Sequence, residues 1–258
     1  MIETEEIPVT EHIDVRDITR NLFAVISKPR FGPIDPALDL AESSGVLGLR
    51  HNRRGGAYWG QSMENCMEAG LAELDKQPVD PNQCLLAMDY DTPSTYADIV
   101  CLYGMLKATP EADAICALQM RRNCNEMLMM MRGDDGKFLR SIPGSLFDGR
   151  LVKIAAGHFG LTVIRASALR DLPHPWFLAA PAPDGRWGEG RVDEDVSFWM
   201  KWEKHQRSLY CAHEVAVAHG EWTLTWPGVT PEGVRPLRQS ADDFDRHGKP
   251  ANVWGRKD

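Results

Sequence analysis

Three short runs, Leu22-Phe23-Ala24-Val25-Ile26, Cys84-Leu85-Leu86-Ala87-Met88 and Ala114-Ile115-Cys116-Ala117-Leu118, are apolar at every position. A strand with one wet face alternates in polarity, so a run without alternation needs cover on both faces. A parallel sheet with helices on each side supplies that cover. Between the first two runs, residues 51–62 read as a loop, and Met63, Met67, Leu71 and Leu74 then fall on one helical stripe that Pro78 and Pro81 end. After the second run, Thr95 with Asp98 three residues on forms a capping-box pattern and opens a helix through about Ala108. Strand, helix, strand in that order predicts parallel neighbours joined by a right-handed crossover.

The later chain is less regular. Met127–Arg132, Gly133–Gly136 and Lys137–Ile142 read as a hairpin, Gly160–Ile164 as a strand and Ala166–Leu172 as a short helix. A helix over Asp193–Gln206 and a strand over Tyr210–Ala218 follow. From Trp226 on, proline, glycine and charge predict an irregular tail. A length of 258 residues suits one α/β domain.

Composition weighs against several functions. A formal charge of −8 gives no broad basic field for nucleic acid or membrane. The six cysteines are scattered with no C-x-x-C pair and read as small core hydrophobes in a reducing compartment, not as a zinc or disulfide framework. No apolar run approaches the roughly 20 residues of a membrane helix, and the acidic N-terminus lacks the apolar core of a signal peptide. A cytoplasmic protein without a membrane span is the expectation.

Asp89-Tyr90-Asp91 stands at the carboxyl end of the second apolar run, the edge where open α/β sheets bind ligands. On extended backbone, carboxylates at i and i+2 point to one side and can share a hard cation. Spacing alone also allows a solvated turn, the commoner reading of an isolated Asp-x-Asp. Glu194-Asp195 opens an amphipathic helix: acids there suit the helix dipole, and one could act as a general base. His219 ends a strand and would add a nitrogen ligand, favouring manganese. His158 sits in Gly157-His158-Phe159-Gly160, where glycines permit close backbone approach to a ligand. Arg121-Arg122, Arg132, Lys137, Arg140, Arg150 and Lys153 could line a positive groove. Trp176-Phe177 and Trp187 could stack on a sugar or base, or pack in the core.

In order and spacing these pieces resemble the GT-A glycosyltransferases, in particular the compact family-two-like enzymes of bacteria and phages. The match runs over roughly residues 80–220. It takes in Leu85 to Asp91, Gly157 to Arg165, Pro175-Trp176-Phe177, Asp193 to Phe198 and Val217-Ala218-His219. The resemblance implies a GT-A fold: a Rossmann-like, mixed, mostly parallel sheet flanked by helices in a single domain. A donor half of about 21–122 and an acceptor half of about 123–225 would lie between an N-terminal arm (1–20) and a C-terminal tail (226–258).

By the same resemblance Asp89, Asp91 and His219 would hold Mn2+ or Mg2+, with Asp89 also facing the donor diphosphate. Asp195 would be the base of an inverting reaction, with Glu194 beside it. Ser27 and Lys28 would lie near the nucleotide, with Asn65, Gly157 and His158 completing the cofactor-binding set. Asn65 stands where related enzymes carry an Arg-x-Asn-like segment, and the arginine is absent here. The implied activity is transfer of a sugar from a nucleoside-diphosphate sugar, a UDP-sugar first among them, to a hydroxyl acceptor. That acceptor would be a glycan or a hydroxymethylated base of phage-type DNA. Two alternatives are a nucleotidyltransferase and a non-catalytic nucleotide-sugar or glycan-binding module.

Overall fold

The computed structural model describes residues 13–28, 45–56, 58–121, 126–139, 151–220, 223–231, 233–248 and 250. Its strands are β1 (Leu22–Lys28), β2 (Arg50–Gly55), β3 (Cys84–Asp89), β4 (Ala114–Leu118), β5 (Met131–Arg132), β6 (Phe138–Leu139), β7 (Val152–Ile154), β8 (Leu161–Arg165), β9 (Leu209–Ala216), β10 (Thr223–Thr230) and β11 (Gly233–Ser240). The helices are α1 (Val15–Asn21), α2 (Trp59–Leu74), α3 (Tyr96–Ala108), α4 (Ala166–Arg170), α5 (Glu194–Lys204) and α6 (Ala241–His247).

Seven strands form one sheet in the order β2-β1-β3-β8-β4-β9-β7. β2, β1, β3, β4 and β9 run one way; β8 and β7 run the other. The fold is a mixed α/β, Rossmann-like arrangement with a mostly parallel sheet flanked by helices. The apolar runs are apolar throughout because each feeds two cores. Phe23, Val25, Leu85, Ala87, Ala114 and Cys116 point to the face covered by α2 and α5. Leu22, Ala24, Leu86, Met88, Ile115 and Ala117 point to the face covered by α1 and α3. Met63, Met67, Leu71 and Leu74 are all buried on α2, and Thr95 and Asp98 form the capping box that starts α3.

Four expectations change. β3 and β4 are not parallel neighbours: β8 lies between them, antiparallel to both, a pairing that local sequence cannot announce. Residues 50–55 form β2, a half-exposed edge strand whose polar residues face water, not a loop. Within the expected N-terminal arm, Val15–Asn21 is the helix α1, docked by a buried Ile18 and by Asp17, which accepts from Lys107 at 2.7 Å. The tail is not irregular: β10 and β11 pair along their full lengths before α6. The predicted hairpin is present as β5 and β6, and residues 140–142 of its expected second strand lie outside the described residues.

Candidate functional site

The carboxyl ends of β1 and β3 lie side by side, with Ser27 the register partner of Asp89. The Ser27 hydroxyl donates to Asp89 Oδ1. The indole N–H of Trp59, at the start of α2, donates to Ser27 Oγ at 3.0 Å and to Asp89 Oδ1 at 3.1 Å. β8 enters this same edge from the loop Gly157–Gly160, and the Asp89 N–H donates to the Gly160 carbonyl at 3.1 Å. A Cβ at Gly160 would stand 2.7 Å from Gln119 Oε1 and Thr92 Oγ1. Only glycine lets the loop come this close.

β3 ends at Asp89, and the Thr92 N–H bonds back to the Asp89 carbonyl at 3.1 Å. The chain therefore turns at Tyr90, and the two-residue alternation that would aim both acids one way does not extend to Asp91. Asp91 is buried and faces His219: His219 Nε2 lies 3.8 Å from Asp91 Oδ2, and the Gly220 N–H donates to the Asp91 carbonyl at 2.7 Å. A shift of register between β4 and β9 carries the end of β9 there, after which the Val217 N–H returns to the Leu118 carbonyl. Asp91 and His219 thus converge, while Asp89 does not join them within metal-sharing distance. Among the described residues the three-ligand group that does form is Glu64, Glu68 and His174, with its ligand atoms within 4.8 Å of one another. There Glu64 already accepts from the Trp176 N–H at 3.0 Å.

Glu194 and Asp195 divide their work. Tyr58, the N-cap of α2, makes no side-chain cap bond, and that helix has no acid in its first turn. Glu194 Oε2 fills the gap from α5 by accepting the Gly60 N–H at 2.7 Å. One of its carboxylate oxygens thus satisfies a helix terminus. Asp195 instead lines a cavity of about 180 Å³ with Met127–Met130, Gly157 and Val196. Burial lifts its pKa to about 6, and the Asp193 and Asp89 carboxylates add repulsion.

His158 is buried, and its ring is committed to backbone. Nδ1 accepts from the Gly160 N–H at 3.0 Å, so Nε2 carries the proton and donates to the Ala117 carbonyl at 2.8 Å. Burial depresses its pKa to about 4, which keeps it neutral. The ring holds the loop in place and does not reach out to a cofactor. Gly157 contributes backbone to the cavity, but its missing side chain has a packing cause: a Cβ there would stand 3.0 Å from Cys116 Sγ. Asn65 lies on the exposed face of α2 and donates to the Gln61 carbonyl at 2.8 Å. The Lys28 side chain falls outside the described residues.

Trp176 and Phe177 are core residues, whereas Trp187 is exposed. Of the expected basic groove, Arg132 and Lys153 line a separate cavity of about 460 Å³ beyond the β5–β7 strip, where Arg132 is already paired with Glu203. Arg122, Arg140 and Arg150 lie outside the described residues. Two contributors escaped the sequence reading, Trp59 and Gly60. The only local signal was a Gly-rich stretch, Gly55-Gly56-Ala57-Tyr58-Trp59-Gly60, ahead of a helix lacking its own cap.

The sequence matches no protein-family model and no curated protein. The crystal structure of A197 from STIV is similar at a TM-score of 0.54 and 14% identity, over 85% of this chain and 94% of that one. At that identity the likeness concerns the fold alone. The nucleoside-diphosphate-sugar pyrophosphorylase from Vibrio cholerae RC9 aligns at a TM-score of 0.32 and 13% identity, over 79% of this chain and 76% of that one, too distant to carry an argument. Among the described residues no helix is long and apolar enough to cross a membrane.

Proposed function

We propose that the protein is a GT-A-type glycosyltransferase that moves a sugar from a nucleoside-diphosphate sugar to a hydroxyl acceptor. The observation that carries this reading is Asp195: a carboxylate with a pKa raised to about 6, lining a cavity with Gly157 and near enough to Asp89 for that carboxylate to help raise it. A base poised near neutrality can accept a proton and stay mostly ionised at pH 7.

In this reading the acceptor hydroxyl gives its proton to Asp195 while its oxygen bonds to the anomeric carbon of the donor. The bond from that carbon to the diphosphate oxygen breaks, and the nucleoside diphosphate leaves with the electron pair. Asp89, fixed by the Ser27 hydroxyl and the Trp59 indole, is a preorganised acceptor for a ribose hydroxyl or a donor-sugar hydroxyl. Asp91 and His219 fit a pair of ligands for one divalent cation, Mn2+ or Mg2+, which when bound would neutralise the departing diphosphate.

The test is turnover of a panel of nucleoside-diphosphate sugars with and without manganese. Wild type is expected to release nucleoside diphosphate slowly in a manganese-dependent manner. Asp91→Asn is expected to lose at least tenfold of that rate. Wild-type rates in the variant would remove Asp91 as a ligand, and no turnover by the folded wild type with any donor would remove the transferase reading.

A further inference from the structure

Away from Asp195, the group Glu64, Glu68 and His174 has the composition of a metal centre. Glu64 and Glu68 stand four residues apart on α2, so their carboxylates project from one face of the helix. His174 meets that face from the segment after α4. Its Nδ1 lies 2.6 Å from Glu64 Oε1 and 3.7 Å from Glu68 Oε1. One ligand atom from each residue falls within 4.8 Å of the other two.

The group is also held from behind. Glu64 accepts from the Trp176 N–H at 3.0 Å and from the Phe177 N–H at 3.4 Å. The His174 ring stacks on Trp176, with centroids 4.5 Å apart. Lys201 on α5 donates to the Pro173 and Pro175 carbonyls on either side of His174. Outer partners of this kind fix the orientation of ligating imidazoles and carboxylates. The bonds to Trp176 and Phe177 give Glu64 a structural task, but they give Glu68 none. Glu68 makes no hydrogen bond among the described residues, and two like charges at i and i+4 repel.

Tetrahedral zinc holds nitrogen and oxygen ligands at about 2.0–2.2 Å, which sets the ligand atoms about 3.4 Å apart. The two distances from His174 Nδ1 fall on either side of that spacing. Glu68 and His174 are both exposed enough to turn by the small amount required. The imidazole sets the group apart from the all-oxygen sites of magnesium and calcium and suits zinc. The ion would replace the hydrogen that Nδ1 shares with Glu64.

We propose that Glu64, Glu68 and His174 form a site for one Zn2+ ion, with a fourth position open to solvent, that ties α2 to residues 173–177. Phe177, at the end of that segment, packs edge-on against Trp59 with centroids 5.2 Å apart, and the Trp59 indole holds Asp89. A bound ion therefore steadies the support of Asp89 without touching it. The site is separate from the pair Asp91 and His219 and does not depend on the transferase reading.

The full chain, freed of metal with a chelator and dialysed, is titrated by calorimetry with zinc chloride and, separately, with magnesium chloride. The tightest equivalent of zinc is expected to bind at least tenfold more tightly than magnesium. Glu68→Gln keeps the shape of an exposed side chain, and His174→Phe keeps a ring against Trp176. Each is expected to weaken that equivalent at least tenfold, whereas Asp91→Asn is expected to leave it unchanged. Unchanged zinc affinity in Glu68→Gln or in His174→Phe overturns the proposal. So does loss of the tightest equivalent in Asp91→Asn, or the absence of zinc binding by the folded wild type. If one variant fails to fold, the others decide.

Discussion

The Glu194 carboxylate accepts the backbone N–H of Gly60 at 2.7 Å and so ties the first turn of α5 to the first turn of α2, 134 residues apart. An anion at a helix N-terminus satisfies an orphan donor and meets the positive end of the dipole. The bond leaves its neighbours Asp193 and Asp195 as the acids of this segment that line the cavity.

A Cβ at Gly60 would stand 2.8 Å from the Glu194 carboxylate and from Phe177 Cβ. Gly60→Ala is therefore expected to cost about 1–3 kcal/mol of stability through overpacking, read from the urea midpoint. Glu194→Ala is expected to cost about 0.5–2 kcal/mol, as loss of a cap does. A change in the Glu194 variant no larger than that of an ordinary surface substitution would show that the tie contributes nothing.

Asp195 makes a prediction about pH. Its folded-state pKa of about 6 lies above the ordinary 3.8, so between those values the folded state binds the extra proton. The Asp195 contribution to stability then falls as pH rises from about 4 to about 6 and is flat above. Asp195→Asn should consequently be more stable than wild type at pH 7, by about 1–3 kcal/mol for a shift of this size, and no more stable at pH 4. The same variant should lose transfer, and wild-type transfer should rise with a midpoint near pH 6. Greater activity at pH 5 than at pH 7 would contradict the assignment of a base.

His158 has the opposite sign. Its pKa is depressed from 6.5 to about 4 by burial, so the unfolded chain takes up the proton first as pH falls. Its share of stability is complete above about pH 6.5 and is lost as pH falls towards 4. Nitrogen-15 spectra of the ring should show a neutral imidazole, protonated on Nε2, at pH 5.5. A charged ring at that pH would mean that the loop Gly157–Gly160 opens in solution.

Trp59 is expected to support Asp89 through one N–H shared between two acceptors. Trp59→Phe keeps the aromatic contacts to Phe159 and Phe177 in kind while removing that donor. A loss of about 0.5–1.5 kcal/mol is expected from the missing hydrogen bond, together with a raised KM for the donor and a smaller change in kcat. An unchanged KM would detach Asp89 from donor binding.

Much of the fold was legible in the sequence because its signals are local. Non-alternating apolar runs record burial on two faces, and the α3 capping box records a helix start within four residues. The same locality failed at β2, whose exposed polar edge has no apolar pattern to read, and at β10 and β11, where Pro227 and Pro236 sit opposite each other in a hairpin that proline content argued against.

By itself the sequence determined which residues could be buried and placed Asp89 and Asp195 at element ends. It could not say what each acid would face. The pair Asp89 and Asp91 looked like one ligand set because extended backbone aims i and i+2 alike, and the chain turns between them. Glu194 and Asp195 looked interchangeable, and packing gave one to a helix terminus and the other to a cavity. Side-chain direction at an element's end depends on partners supplied by distant segments, here Gly60, Ser27 and His219, and only the tertiary structure brings those segments together.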